Sequence, residues 1–148
     1  MSLHGITMTL IISLDLLAQI HAHGEEAYPE EGAGFLLGSE EGGERTVTQL
    51  FLTGNAREDE ARHNRYLVTP EGYLNAETTA DSLGLTLIGV FHSHPDHPNR
   101  PSEFDREWAQ PFFSYVITTI NEGKAFESRS WRLADDRSKF EEERIISR

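Results

Sequence analysis

Residues 85–92 read Leu-Thr-Leu-Ile-Gly-Val-Phe-His, an apolar run of strand length with one internal hydroxyl. Such a run is a buried strand and has to be covered by the rest of the fold. Its end carries His92 and, two residues on, His94. In a strand, positions i and i+2 face the same side with their Cα atoms about 6.5 Å apart. Two imidazoles so placed can converge on one metal ion at about 2.0–2.1 Å each.

The residues that follow extend the pattern. Pro95–Pro101 is a loop holding three prolines, and Ser102-Glu103-Phe104-Asp105 opens a helix that runs to Ala109. Positions i and i+3 are neighbours on a helix surface, so Ser102 and Asp105 can both aim back at the strand end. Two histidines and an aspartate make a three-ligand site whose fourth position stays open, the hallmark of a catalytic rather than a structural zinc. The chain has no cysteine, which removes disulfides, thiol catalysis, Cys-based zinc sites and the nucleoside-deaminase type of zinc centre. Ser-x-x-Asp is also an ordinary helix-capping pattern, and His-x-His by itself is weak. His21-Ala22-His23 shows the weakness: it falls in an expected helix, where i and i+2 diverge, and reads as surface. Ser93 should face the far side of the strand, His97 should be solvated, and Trp108 and Trp131 are most simply core.

Elsewhere the pattern alternates between strands and helices. Thr9–Ile12 is a short strand, and Ser13 caps a helix to about Ala27 that ends at Tyr28-Pro29. Gly32–Gly38 and Arg45–Thr53 are the arms of a hairpin around Gly42-Gly43, and Gly54–Asn64 is a polar loop. Thr69-Pro70-Glu71 starts a helix that stops near Gly84. Phe113–Ile120 and Lys124–Leu133 are strands joined at Asn121-Glu122-Gly123, while Phe140–Ile146 fits strand or helix equally. The expected fold is a mixed α/β (α+β) domain over residues 1–148, a mostly antiparallel curved sheet flanked by helices, with Met1–Thr7 as a disordered leader.

Charge narrows the partners. With 25 acidic against 13 basic residues the net charge is −12, which disfavours a phosphate backbone and hence nucleic acid. The apolar stretch Met8–Ile20 lacks a preceding Lys or Arg, is interrupted by Asp15 and Gln19, and is too short to span a bilayer. No membrane association and a cytoplasmic location are therefore expected.

His92-x-His94, seven residues, then Ser102-x-x-Asp105 resembles the JAMM motif of the MPN+ (Mov34/MPN/PAD-1) metallopeptidase family, without a departure in spacing. Upstream, Glu31-Gly32-Ala33-Gly34-Phe35-Leu36-Leu37 is similar to the family's glutamate before a Gly-apolar strand, in a register that selects Glu31 over Glu30. The resemblance runs from the first helix to the strand at Trp131 and is closest to the small prokaryotic members. It implies a cytidine-deaminase-like JAMM/MPN architecture, with His92, His94 and Asp105 as ligands of Zn²⁺. It further implies Glu31 as general base then acid, Ser102 as oxyanion donor, and more weakly Asn55 beside the substrate. The implied activity is hydrolysis of an amide or isopeptide bond at the C-terminus of a ubiquitin-like or sulfur-carrier protein ending in Gly-Gly. A non-catalytic MPN scaffold, a JAMM hydrolase of unrelated peptides and a phosphoesterase or DNA-associated member of the fold are the alternatives. A His₂Asp set would also admit other divalent ions.

Overall fold

The computed structural model of the chain describes residues 8–53 and 69–148. The expected leader over 1–7, the loop over 54–64 and the Asn55 position lie outside them.

Local chemistry sets the elements. After β1 (Thr9–Ile11), the Ser13 hydroxyl accepts from the Leu16 N–H at 3.1 Å and caps α1 (Leu14–Ala27), with Asp15 in its positive first turn. The helix stops at Tyr28, which precedes a proline and sits at φ −52°, ψ 136°. β2 (Ala33–Glu41) and β3 (Glu44–Leu52) turn through Gly42 and Gly43, both at positive φ (57° and 88°), as a two-residue I′ turn demands. The Thr69 hydroxyl caps α2 (Pro70–Ser82), and Pro70 occupies the first helical turn. β4 (Thr86–Pro95) carries both histidines, α3 (Glu103–Trp108) is a helix of six residues, and β5 (Ser114–Asn121), β6 (Lys124–Leu133) and β7 (Phe140–Ile146) follow. The segment 140–146, compatible with strand or helix in sequence, is a strand.

The mixed α/β composition is as expected, but the sheet is closed and barrel-like rather than a curved layer with two free edges. It closes into a ring in the order β1-β3-β2-β4-β5-β6-β7. Three of its seven junctions are parallel, namely β1–β3, β1–β7 and β4–β5, and the other four are antiparallel. Closure falls to β1, whose three buried residues pair with Glu44–Thr46 on one side and Arg144–Ile146 on the other.

The core lies on both faces of the β2–β4 ladder. Phe35, Leu37 and Val90 pack under α2 with Ala76 and Ala80, whereas Leu36, Ile88 and Phe91 pack with Ile20 under α1. The bulge that skips Ile88 opposite Leu36/Leu37 resets the alternation. His92 and His94 therefore continue the Val90 face, and Ser93 continues the Phe91 face toward α1. Gly24 lets α1 lie close there: a Cβ on it would stand 2.7 Å from Ile120 Cδ1 and 3.2 Å from Ser93 Cβ. Arg45 is buried and donates to the Ile88 carbonyl (3.2 Å), the Ser114 hydroxyl (2.9 Å) and the Phe112 carbonyl (2.8 Å), tying β3 to the start of β5. Among the described residues no helix is long and apolar enough to cross a membrane.

A Cβ at Gly38 would fall 1.8 Å from the Thr46 carbonyl oxygen, so Gly38→Ala must force the β2–β3 pair apart at its bulge. A loss of about 3 kcal/mol is expected. Gly42→Ala meets no atom within 4 Å and bears only the left-handed backbone, a loss of about 1–2 kcal/mol. Urea midpoints check the order, and equal midpoints would contradict the clash.

Candidate metal centre

His92 and His94 arrive on one face of β4, and Asp105 arrives from the first turn of α3. All three are buried, at 2%, 7% and 6% exposure, in a surface where acids are usually solvated. One donor atom from each lies within 4.8 Å of the others, the one such group of three found among the described residues. His94 Nε2 stands 3.2 Å from Asp105 Oδ2, and His92 Nε2 stands 3.7 Å from Asp105 Oδ1. Donors held about 2.0–2.2 Å from a shared tetrahedral ion sit roughly 3.3–3.6 Å apart. The spacing and the donor types therefore fit a divalent ion.

Hydrogen bonds orient the donors. The Pro98 carbonyl accepts from His94 Nδ1 at 2.7 Å, which leaves the Nε2 lone pair aimed at Asp105. Asp105 Oδ2 accepts from the Ser102 N–H (2.8 Å), and the Asp105 N–H donates to the Ser102 hydroxyl oxygen (3.0 Å). The capping pattern and the metal pattern are thus one structure, since the carboxylate that caps the helix also faces the histidines.

Titration follows the same contacts. Burial pushes His92 down to about 4, so it is neutral and able to donate a lone pair at ordinary pH. Burial also opposes charge on His94, but the Asp105 carboxylate and the Pro98 carbonyl outweigh it and hold His94 above its ordinary value. Desolvation would raise Asp105, yet the two imidazoles and the Ser102 N–H hold its carboxyl far below the usual carboxylate range.

A six-residue helix has little stability of its own. α3 is held at its far end by Arg137 from the β6–β7 connection. The Arg137 guanidinium donates to the carbonyls of Ala109 (2.9 Å), Arg106 (3.1 Å) and Glu107 (3.1 Å), and Arg106 Nη1 donates back to the Arg137 carbonyl (2.8 Å). These are the last-turn carbonyls that have no partner within the helix.

Glu31 reaches the same place from the loop between α1 and β2. A cleft of about 370 Å³ is lined by Glu31, His94, Ser102, His97 and Arg100 with prolines of the 95–101 loop. Ser93, turned away from the cleft as expected, has a task that sequence reasoning missed. Its hydroxyl accepts from the Gly32 N–H (2.9 Å), and its own N–H donates to the Gly32 carbonyl (3.0 Å). It thereby fixes the residue next to Glu31. The structure brings together Glu31, His92, His94, Ser102 and Asp105, while Asn55 lies outside the described residues.

Three side-chain expectations change. Trp108 is not core; it is 53% exposed and packs on Phe104 at 6.1 Å. Trp131 is half-buried and donates to the Asn99 carbonyl. His21 and His23 are not free surface groups: His21 bonds the Ser128 hydroxyl at 3.0 Å, and His23 bonds the Ala33 carbonyl at 3.1 Å. The short loop between α1 and β2 brings the latter pair together.

Residues 13–134 match the family described as prokaryotic homologs of the JAB domain. The chain belongs to this family. A relative from Thermus thermophilus, named a probable TtuB-protein conjugate cleaving protease, is 30% identical over 123 residues, which cover 83% of this chain and 77% of that protein. The CysO-cysteine peptidase of Mycobacterium tuberculosis is 26% identical over 132 residues, 88% of this chain and 87% of that one. A solution structure of a protein from Salinibacter ruber is 44% identical and superposes with a TM-score of 0.73, covering 93% of this chain and 90% of that one.

Two outcomes are expected. Because His94 must lose its proton to bind a metal, affinity for a divalent ion should weaken about tenfold per pH unit once the pH falls below the raised His94 value. His92, at about 4, should add a second proton only in stronger acid. Isothermal titration across the pH range checks the slope, and a flat profile would contradict it. Arg137→Ala should loosen α3 and lower metal affinity by about 10–100-fold, with Arg137→Lys intermediate. Equal dissociation constants in all three proteins would show that the clamp does not support Asp105.

Proposed function

We propose that the chain is a zinc-dependent peptidase that hydrolyses an amide bond at the C-terminus of a ubiquitin-like or sulfur-carrier protein ending in Gly-Gly. The observation that carries this reading is the shared cleft. One carboxylate (Glu31), one hydroxyl (Ser102) and one ligand-type imidazole (His94) line it, directly over the buried His₂Asp donor set. A scaffold has no use for an acid, a hydroxyl and a metal-type triad converging on one accessible space. The names of the two curated relatives, which cleave a protein conjugate and a CysO-cysteine, support the substrate class.

His92, His94 and Asp105 would hold the ion. When bound, Zn²⁺ supplies Lewis acidity: it makes water nucleophilic near pH 7 and polarises the scissile carbonyl. Glu31 takes a proton from the attacking water as its oxygen adds to the carbonyl carbon. It then passes that proton to the amine nitrogen as the C–N bond breaks. The Ser102 oxygen already accepts from the Asp105 N–H, so its own O–H is left to donate toward the cleft. That hydrogen can meet the oxyanion of the tetrahedral intermediate. Ser93, through Gly32, keeps the Glu31 backbone from drifting.

The test is incubation of zinc-loaded protein with carriers bearing residues beyond Gly-Gly, with products read by mass spectrometry. Release of the intact Gly-Gly end is expected. Cleavage of unrelated peptides but of no such carrier would overturn the substrate class. Glu31→Gln should keep its zinc and lose about 10²–10⁴ in kcat, since an amide cannot take up the proton. Loss at Glu30→Gln with Glu31→Gln fully active would move the base by one residue. Ser102→Ala should lose about 10²–10³ in kcat. A fall in melting temperature with kcat intact would leave it only a cap.

A further inference from the structure

The loop between the second histidine and α3 is tied down almost residue by residue. The Asp96 carboxylate accepts from the Tyr28 hydroxyl (2.7 Å) and the Glu122 N–H (2.8 Å). The His97 carbonyl accepts from the Thr119 hydroxyl (2.8 Å), and the Pro98 carbonyl accepts from His94 (2.7 Å). Asn99 donates to the Glu127 carbonyl (2.8 Å) and accepts from the Trp131 indole (3.0 Å). Pro101 fixes the next backbone angle. Amid these anchors the Arg100 side chain is exposed, lines the cleft, and makes no ion pair or hydrogen bond with any described residue. In a chain of net charge −12, where acids outnumber bases nearly two to one, a guanidinium without a carboxylate partner at the mouth of a catalytic cleft stands out.

We propose that Arg100 binds the free α-carboxylate of the residue released from the substrate's C-terminus. The inference rests on the peptidase reading above. A peptidase that cuts near a chain end leaves a carboxylate a short way beyond the scissile bond. A planar guanidinium matches a carboxylate with two parallel hydrogen bonds, where a lysine offers a point charge. Because the loop backbone is already immobilised, little ordering remains except that of the side chain itself. Arg100 and Ser102 are two residues apart on the same wall, so a substrate placed against the Ser102 hydroxyl brings its adjoining residue to Arg100. Such a site favours trimming of a short C-terminal addition over cutting a bond followed by a long chain, whose α-carboxylate lies far away.

The test compares zinc-loaded wild type, Arg100→Gln and Arg100→Lys on carriers ending in Gly-Gly plus one residue, as the free acid and as the C-terminal amide. The same acid and amide pair is built on an unrelated short peptide. Wild type should prefer the acid by about 10–100-fold in kcat/KM, carried by KM, the scale of a charge-assisted pair. The preference should fall to about one in Arg100→Gln and be intermediate in Arg100→Lys. Acid and amide cleaved alike by wild type would overturn the inference while leaving the peptidase reading intact. Acid preference on the short peptide without cleavage of any carrier would overturn the carrier reading while supporting Arg100. Cleavage of none of these substrates would overturn both. A last arm neutralises acidic side chains in the carrier tail: if that, rather than amidation, abolishes the Arg100 dependence, the partner is a side-chain carboxylate and the α-carboxylate assignment fails.

Discussion

His94 Nε2 and Asp105 Oδ2 face each other across 3.2 Å, a contact that a proton on the ring completes as a hydrogen bond and that its loss leaves as two opposed electron pairs. The imidazole has given its other nitrogen's hydrogen to the Pro98 carbonyl. In a buried setting this arrangement is repulsive unless a positive charge lies between the two groups. A proton satisfies it, and so does a divalent ion, so the two compete for the same space. Much of the nearby structure holds the groups in this confrontation. The Ser102 N–H steadies the carboxylate, and Arg137 grips the helix that carries it. β4 runs buried between β2 and β5 and delivers the imidazoles.

The second carboxylate depends on a different kind of support. Glu31 sits in a loop rather than on a strand, and a loop residue is placed only as well as its neighbours. Here the neighbour is stitched twice to the back of the histidine strand through Ser93, where α1 comes close because Gly24 has no side chain. The two histidines and Ser93 thus divide one strand between its faces. The front presents the two imidazoles toward Asp105, and the back fixes the loop that carries Glu31 to the cleft.

The parts that were legible in the sequence are those governed by local periodicity. His-x-His is a statement about strand pleating, and Ser-x-x-Asp is a statement about one helical turn. Both held because neither needs a distant partner. Ring closure was hidden for the converse reason: Thr-Leu-Ile says strand, but nothing in three residues names β3 and β7 as neighbours. Segment 140–146 was ambiguous because four charged residues, Glu141 to Arg144, separate its apolar ends, and Glu143 lies among them. That residue is buried only through its bonds to Arg132 and Ser130 on β6. Nothing in the local sequence singles out Arg137, because its grip on α3 spans a connection of some thirty positions. Trp108 defied its composition, since large aromatic side chains are usually covered, yet this one ends a six-residue helix whose one buried residue is Asp105.

The keystone position of β1 has a consequence for the chain as it is made. One partner of β1 is encoded early, in a local hairpin, and the other only at residues 144–146. Pairings that distant in sequence form late, and during synthesis the earlier part of a chain begins to fold before the later part exists. Until the ribosome has released β7, the half-made sheet presents two bare edges of unsatisfied amides and carbonyls, the kind of surface on which neighbouring nascent chains associate. A chain cut short before residue 140 would carry that hazard for its whole lifetime, even with His92, His94, Asp105 and the described cleft residues already translated.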